Sequence, residues 1–195
     1  MNKKISSYIS NAVIDILEQG YQLRFLHKFR DSGEILNWKK MFTVGIDLPV
    51  EDWFPNFVHE YCHLQQTKEG LFCNKSWQET DKTYTEWALG KFKLSNKEAA
   101  IIGRRQRLTE LDCEKRVIKE IKKYQLPINI NTYIQSANAY IYSYSFLVEN
   151  RVDLHNAVCA GEPELYSLMP THFLSRYDRV PKLYRKMVNK YLKEK

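Results

Sequence analysis

Apolar residues recur along much of this chain with the spacing of an α-helix. Residues 5–18 carry them at intervals of three and four and lead to Gly20, which predicts an amphipathic helix. Residues 53–68 predict a second helix, with Asp52 as its N-cap and Gly70 as its C-terminal stop. These patterns indicate a predominantly helical chain.

The second half of the chain continues the helical pattern. Ser95 and Glu98 have the spacing of a capping box, and no proline interrupts the stretch from there to about Tyr124, which predicts one long helix. Residues 131–150 predict a further buried helix, although their tyrosines and β-branched residues leave a strand as the alternative. Two short helices are expected from Pro163 onward.

One segment departs from the helical spacing. Residues 41–47, MFTVGID, alternate loosely between apolar and polar side chains and predict a strand just before the second helix. With only 7 glycines and 6 prolines, the composition favours helices over a turn-rich β-sandwich fold. We therefore expect an α+β fold that is predominantly helical, in a single domain over residues 1–195. Within it, residues 41–124 would form the core and residues 128–195 a helical C-terminal part.

Charge and composition limit the partners and the location. The net charge of +7 permits contact with nucleic acid, for which Arg104, Arg105 and Arg107 in GRRQR are the best feature, although a helix would point them at different angles. No apolar run reaches about 18 residues, so no membrane partner is expected. The N-terminal residues lack the apolar stretch of a secretory signal, and the four cysteines form no CxxC pair. These features predict a cytoplasmic protein with reduced thiols.

The stretch FVHEYCHLQQT contains the pattern HExxH on the predicted second helix. His59 and His63 occupy positions i and i+4, so both imidazoles would lie on one face and could bind a single Zn²⁺. Glu60 follows the first histidine and could reach a water on the metal without binding the metal itself. The alternative is a pair of histidines on a helix surface with ordinary hydrogen bonds.

A catalytic zinc site also needs a third protein ligand. Glu110 and Glu114 lie one turn apart in the long helix, on a stripe of otherwise apolar or small residues. The other members of this stripe are Ala99, Gly103, Val117, Ile121 and Tyr124. Burying two unpaired carboxylates is costly, and a metal ion with its histidines would remove that penalty. The small residues would let a second helix approach. We therefore expect Glu110 as the third ligand.

Other residues compete for these roles. The remaining candidates for the third ligand are Glu114, Asp112, Glu79 and Glu86, and a site without a third ligand is also open. Without a metal, the two glutamates would be neutralised at the surface by Arg104, Arg107 or Lys115.

HEYCH and ELDCE together resemble the two motifs of the gluzincin metallopeptidases. HEYCHLQQ is also similar to predicted metallopeptidases encoded by large tailed phages. In the gluzincins, the first carboxylate of the second motif binds zinc and the second carboxylate holds the first histidine. The resemblance implies a zincin-like fold, Zn²⁺ as cofactor, Glu110 as ligand and Glu114 as the partner of His59. Glu114 stands where the family has the shorter aspartate. A phage origin would imply the host cytoplasm or the virion as the location.

Together, these residues predict a zinc-dependent peptidase that acts on a protein or peptide. Glu60 would take a proton from the attacking water and deliver it to the leaving amine. An extended peptide would lie along residues 41–47, as the edge strand of a small sheet. His155, His172 and the tyrosines are candidates for stabilising the oxyanion, with no preference among them. A catalytically inert metal-binding protein and a basic nucleic-acid-binding protein are the alternatives.

Overall fold

The computed structural model describes residues 2–27, 33–71, 83–84, 86–151 and 163–193, and helices dominate them. The helices are α1 (Lys3–Glu18), α2 (Val50–Lys68), α3 (Asn96–Tyr124), α4 (Ile130–Asn150), α5 (Pro163–Ser167) and α6 (Lys182–Lys193). The strands are β1 (Gln22–Leu26), β2 (Gly33–Leu36) and β3 (Met41–Gly45). The predicted class, α+β with mostly helix, is confirmed. Within the described ranges, no helix combines the length and apolar character needed to cross a membrane.

The predicted long helices correspond to α1, α3 and α4. The capping box forms at the start of α3, where the Ser95 amide donates to Glu98 Oε2 at 2.9 Å and the Glu98 amide donates to Ser95 Oγ at 3.3 Å. α4 spans the segment for which a strand is the alternative, and most of its second half is buried. Helical packing therefore overrides the β propensity of its tyrosines. The two short helices expected from Pro163 onward are α5 and α6.

α2 begins at Val50, earlier than the sequence pattern predicts. Its N-cap is Pro49, which makes no side-chain capping bond, so the prediction of Asp52 as N-cap is wrong. Asp52 lies in the first turn, where its carboxylate stabilises the positive end of the helix. Gly70 follows the helix with a φ of 74°, a conformation that favours glycine, so the predicted stop is confirmed.

The three strands form one sheet in the order β1–β3–β2. β1 runs parallel to β3, with Gln22 opposite Met41, whereas β2 runs antiparallel, with Gly33 opposite Val44. The predicted strand at residues 41–47 is therefore the central strand, and its assignment as an edge strand is wrong. The outer strands β1 and β2 are short, and the sequence pattern does not predict them.

The chain divides into two compact units. The first unit comprises Met1–Leu71 and Cys113–Asn129, and the second unit comprises Phe72–Asp112 and Ile130–Lys195. This division differs from the predicted one, in which a core at residues 41–124 precedes a helical part at 128–195. The difference arises because α3 contributes its two halves to different units, while α1, β1 and β2 all belong to the first.

In the first unit, one face of α2 packs on the sheet. Phe57 of α2 is fully buried, and its ring lies 5.6 Å from that of Phe42 in β3 and 6.4 Å from that of Phe25 in β1, between ring centroids. The Tyr8 ring of α1 packs edge-on against Phe54 of α2 at 5.8 Å. These aromatic contacts hold α2 against the sheet and α1 and so determine where its other side chains point.

In the second unit, small residues let α3 approach α4 closely, as the sequence predicts. Ala99 is fully buried in a cluster with Trp87 and Leu147. At Gly103, an added Cβ would lie only 2.4 Å from Val148 Cγ2, so any side chain would collide there. Both small members of the predicted stripe therefore make room for a neighbouring helix.

Gly103→Ala should be destabilising because of this collision. Overpacking a well-filled contact costs roughly 1–3 kcal/mol, while alanine gains about 1 kcal/mol over glycine in a helix interior. In the Val148→Ala background the collision is gone, so there the same substitution should stabilise the protein. Urea unfolding of the four variants measures both effects, and equal effects of Gly103→Ala in the two backgrounds would contradict the predicted contact.

Candidate metal centre

His59 and His63 lie one turn apart on the half-buried side of α2. Their ring centroids are 4.6 Å apart and the ring planes are nearly perpendicular, at 84°. The two Nε2 atoms face each other at 3.0 Å. The helical spacing of the motif therefore brings one nitrogen of each imidazole to the same point.

The outer nitrogen of each imidazole faces an acceptor in the first unit. His59 Nδ1 lies 3.3 Å from Glu114 Oε1, a buried carboxylate. His63 Nδ1 lies 2.8 Å from Oε1 of Gln66, whose side chain is also buried. A carboxylate and an amide oxygen only accept, so each contact holds the imidazole proton on Nδ1.

With both Nδ1 atoms protonated, both Nε2 atoms carry lone pairs. Two lone pairs that face each other at 3.0 Å repel, unless a proton shared by the two nitrogens or a metal ion lies between them. This arrangement of outer acceptors and inner lone pairs is the usual environment of metal-binding histidines, in which the outer hydrogen bond selects the tautomer and orients the ring. The donor set therefore fits a bound metal ion.

Cys113 is the third residue of this cluster. Its Sγ lies 3.7 Å from His59 Nδ1 and 3.3 Å from the His59 carbonyl oxygen, to which the thiol donates. Among the described residues, His59, His63 and Cys113 can each offer a ligand atom within 4.8 Å of the others, so they form a group that could hold a metal ion. The sequence motifs do not single out Cys113, although it lies inside ELDCE.

The neighbouring Cys62 has a different role. It is fully buried in α2, and burial together with the nearby Cys113 raises the pKa of its thiol well above the usual value. Such a thiol stays protonated and packs as a small apolar residue. Cys62 and Cys113 are both free thiols, as predicted, whereas Cys73 and Cys159 lie outside the described residues.

No family model, curated protein or solved structure matches this chain.

Glu110, the predicted third ligand, belongs to the second unit. It is buried there, with 7% of its surface exposed, and the Tyr144 hydroxyl donates to its Oε1 at 3.4 Å. Its role as a ligand stays a prediction. The alternatives Asp112 and Glu86 also belong to the second unit.

Two further candidates, Glu79 and His155, lie outside the described residues. His172 belongs to the second unit and is exposed; its backbone oxygen accepts a hydrogen bond from the Asn138 side chain at 3.0 Å. This contact holds the backbone of His172 and does not involve its imidazole.

Glu60 follows His59 on α2 and is half-buried. Its side chain lies against β2: a Cβ added to Gly33 would be 2.3 Å from Glu60 Cγ and 2.8 Å from Glu60 Oε1. The predicted general base is thus beside an outer strand of the sheet, a neighbour that no sequence motif indicates.

The basic cluster GRRQR does not form one exposed surface. Arg104 is exposed, while Arg105 and Arg107 are partly buried. Burial lowers the pKa of Arg107, with the nearby Asp178 and Tyr84 acting in the opposite direction. Only one of the three arginines is therefore fully exposed, which weakens this cluster as a contact surface for a phosphate backbone.

Gln66→Leu should weaken metal binding because it removes the acceptor that holds the His63 proton on Nδ1. Loss of such an outer contact typically costs 10–100-fold in metal affinity. Gln66→Glu keeps an acceptor at the same place and should retain most of the affinity. Zinc titration in competition with a chromophoric chelator measures both, and equal affinity of Gln66→Leu and the unaltered protein would show that Gln66 does not orient His63.

Proposed function

We propose that this protein is a zinc-dependent metallopeptidase whose metal is bound by Nε2 of His59 and Nε2 of His63. The observation that carries the proposal is the approach of these two atoms to 3.0 Å while Glu114 and Gln66 face the outer nitrogens. A cation relieves the repulsion of the two lone pairs, and imidazole nitrogen suits zinc.

Two residues compete for the third protein ligand. Cys113 belongs to the compact group with the histidines, and a thiolate is a strong zinc ligand. Glu110 is the ligand that the gluzincin resemblance implies, and it precedes Cys113 by three positions on α3. In either case, three protein ligands leave one coordination position for water, as in catalytic zinc sites.

Glu60 is the proposed general base. When bound, zinc would acidify a water and polarise the substrate carbonyl. Glu60 would accept the proton of the attacking water and transfer it to the leaving amine. Glu60 lies on α2 one residue after His59 and three before His63, and the spacing of three would let its carboxylate reach a water on the metal without binding the metal.

The peptide substrate would pair with β2. β3 has neighbours on both sides, so it cannot accept a further strand. β2 is an outer strand, and Gly33 at its start lies against Glu60. An extended peptide that adds to the outer edge of β2 would therefore run past the general base, bound through its main chain.

The first experiment measures metal content by mass spectrometry, on protein purified without chelator or affinity nickel. We expect about one zinc per chain. Cys113→Ser and Glu110→Gln identify the third ligand, because only loss of the ligand should sharply lower zinc affinity. Zinc-dependent cleavage of a peptide library, abolished by chelation, then tests the peptidase activity.

The outcomes of these experiments distinguish the proposed peptidase from an inert metal-binding protein and from a nucleic-acid-binding protein. Bound zinc without cleavage would favour an inert metal-binding protein. Absence of metal from correctly folded protein would overturn the proposal, and salt-sensitive binding to DNA or RNA would then be the property to measure. A cytoplasmic location, and a host or virion setting if the chain is phage-encoded, stay predictions from the sequence.

A further inference from the structure

Gly33 is the first residue of β2, and Glu60 fills the space that a side chain there would occupy. A Cβ at Gly33 would lie 2.3 Å from Glu60 Cγ, 2.8 Å from Oε1 and 2.9 Å from the carboxyl carbon. The closest of these atoms is a methylene near the base of the glutamate side chain. It cannot move aside as easily as a flexible tip, so the whole side chain would have to take another rotamer.

Position 33 requires glycine because a side chain there has no space, and not because of its backbone conformation. The glycines with positive φ in the described part of the chain are Gly20, Gly70 and Gly90, and Gly33 is not among them. Its backbone pairs with β3 opposite Val44 in ordinary antiparallel geometry, which alanine also adopts. Glycine is also the usual residue where another group approaches the backbone closely.

We propose that Gly33 is a positioning residue for Glu60: the bare backbone of β2 holds the glutamate in the rotamer from which it acts. This inference rests on the proposed peptidase function for its catalytic consequence, while the contact itself is independent of that function. A general base displaced by about 1 Å can lose on the order of 100-fold in rate. The strand proposed to pair with substrate would thus also orient the catalytic group.

Gly33→Ala tests the contact through thermal stability. In the zinc-loaded full chain, we expect it to lower Tm by about 2–12 °C, since overpacking is destabilising. In the Glu60→Ala background, whose side chain ends at Cβ, the same substitution should shift Tm by less than about 1 °C. Equal shifts in both backgrounds would overturn the proposal.

The catalytic consequence is tested with a fluorogenic peptide chosen from the library that the unaltered protein cleaves. Gly33→Ala should lower kcat about 10–100-fold, with KM changed less than about threefold and zinc content unchanged. Glu18→Ala, at an exposed position of α1 and outside the strand proposed to bind substrate, is the control and should leave kcat unaltered. A Gly33→Ala variant with full kcat would overturn the positioning role even if the stability coupling is present.

Failure of the proposed peptidase function can be distinguished from failure of the inference about Gly33. If the unaltered, zinc-loaded protein cleaves no peptide, the peptidase proposal fails, and with it the catalytic part of this inference. The comparison of Tm shifts in the two backgrounds would then still decide whether Gly33 holds Glu60 in place.

Discussion

Glu60→Gln should lower kcat by about 10²–10⁴-fold, the range expected for removal of a general base. Glutamine has nearly the same shape as glutamate, so it should still fit against Gly33, but its amide cannot accept the proton of the attacking water. Because Glu60 is proposed to act on water and not to bind the metal, zinc affinity should change less than about threefold. Cleavage of the library-selected peptide and zinc titration together measure the two effects.

The matched control for Glu60→Gln is Glu18→Gln, which neutralises an exposed glutamate at the end of α1, outside the strand proposed to bind substrate. It should leave kcat unchanged, so that a loss seen only with Glu60→Gln cannot be ascribed to the altered net charge. Retained hydrolysis in Glu60→Gln would refute the assigned role. Loss of zinc in this variant would instead place the Glu60 carboxylate among the metal ligands.

Much of the helical fold could be predicted because its signals are local. The capping box at Ser95 and Glu98 is made by residues three positions apart, and Gly70 ends α2 through its own backbone conformation. The sheet is different. β1 and β2 are only five and four residues long, and each is stabilised by pairing with β3. Such pairing is tertiary and leaves little pattern in a short segment.

The strand order explains why the edge assignment was wrong. In β3, Phe42 and Val44 are fully buried, and Thr43 between them is also buried, with 5% exposure. Burial on both faces is typical of a central strand, yet the alternation in MFTVGID resembles that of a strand with one polar face. From the sequence alone, a buried threonine cannot be distinguished from one that is exposed to water.

The site shows the same division between local and tertiary information. The spacing of HEYCH already implies that His59 and His63 share a face, because that follows from helix geometry. The approach of Glu114 to His59 joins α2 to α3, and only the family resemblance suggests it. Gln66 lies three positions after His63, a spacing that permits contact, but nothing in the sequence distinguishes it from Gln65.

Replacing either histidine should abolish the stabilisation of this protein by zinc. At free zinc concentrations of 100–1,000 times the dissociation constant, binding stabilises the native state by about 2.7–4.1 kcal/mol. For a chain of this size, that corresponds to a rise in Tm of roughly 5–16 °C. We expect this rise in the unaltered protein and its loss in both His59→Ala and His63→Ala, because one imidazole alone cannot bring two nitrogen ligands to the metal.

His27→Ala is the matched control for these two variants. His27 also belongs to the first unit, but its side chain is 84% exposed, its Nδ1 contacts Asp47 at 2.9 Å, and it is not a member of the group of His59, His63 and Cys113. Its replacement should leave the zinc-dependent rise in Tm intact. A zinc-dependent rise in Tm that persists in both histidine variants, or that disappears with His27→Ala, would mean that HEYCH is not where this protein binds metal.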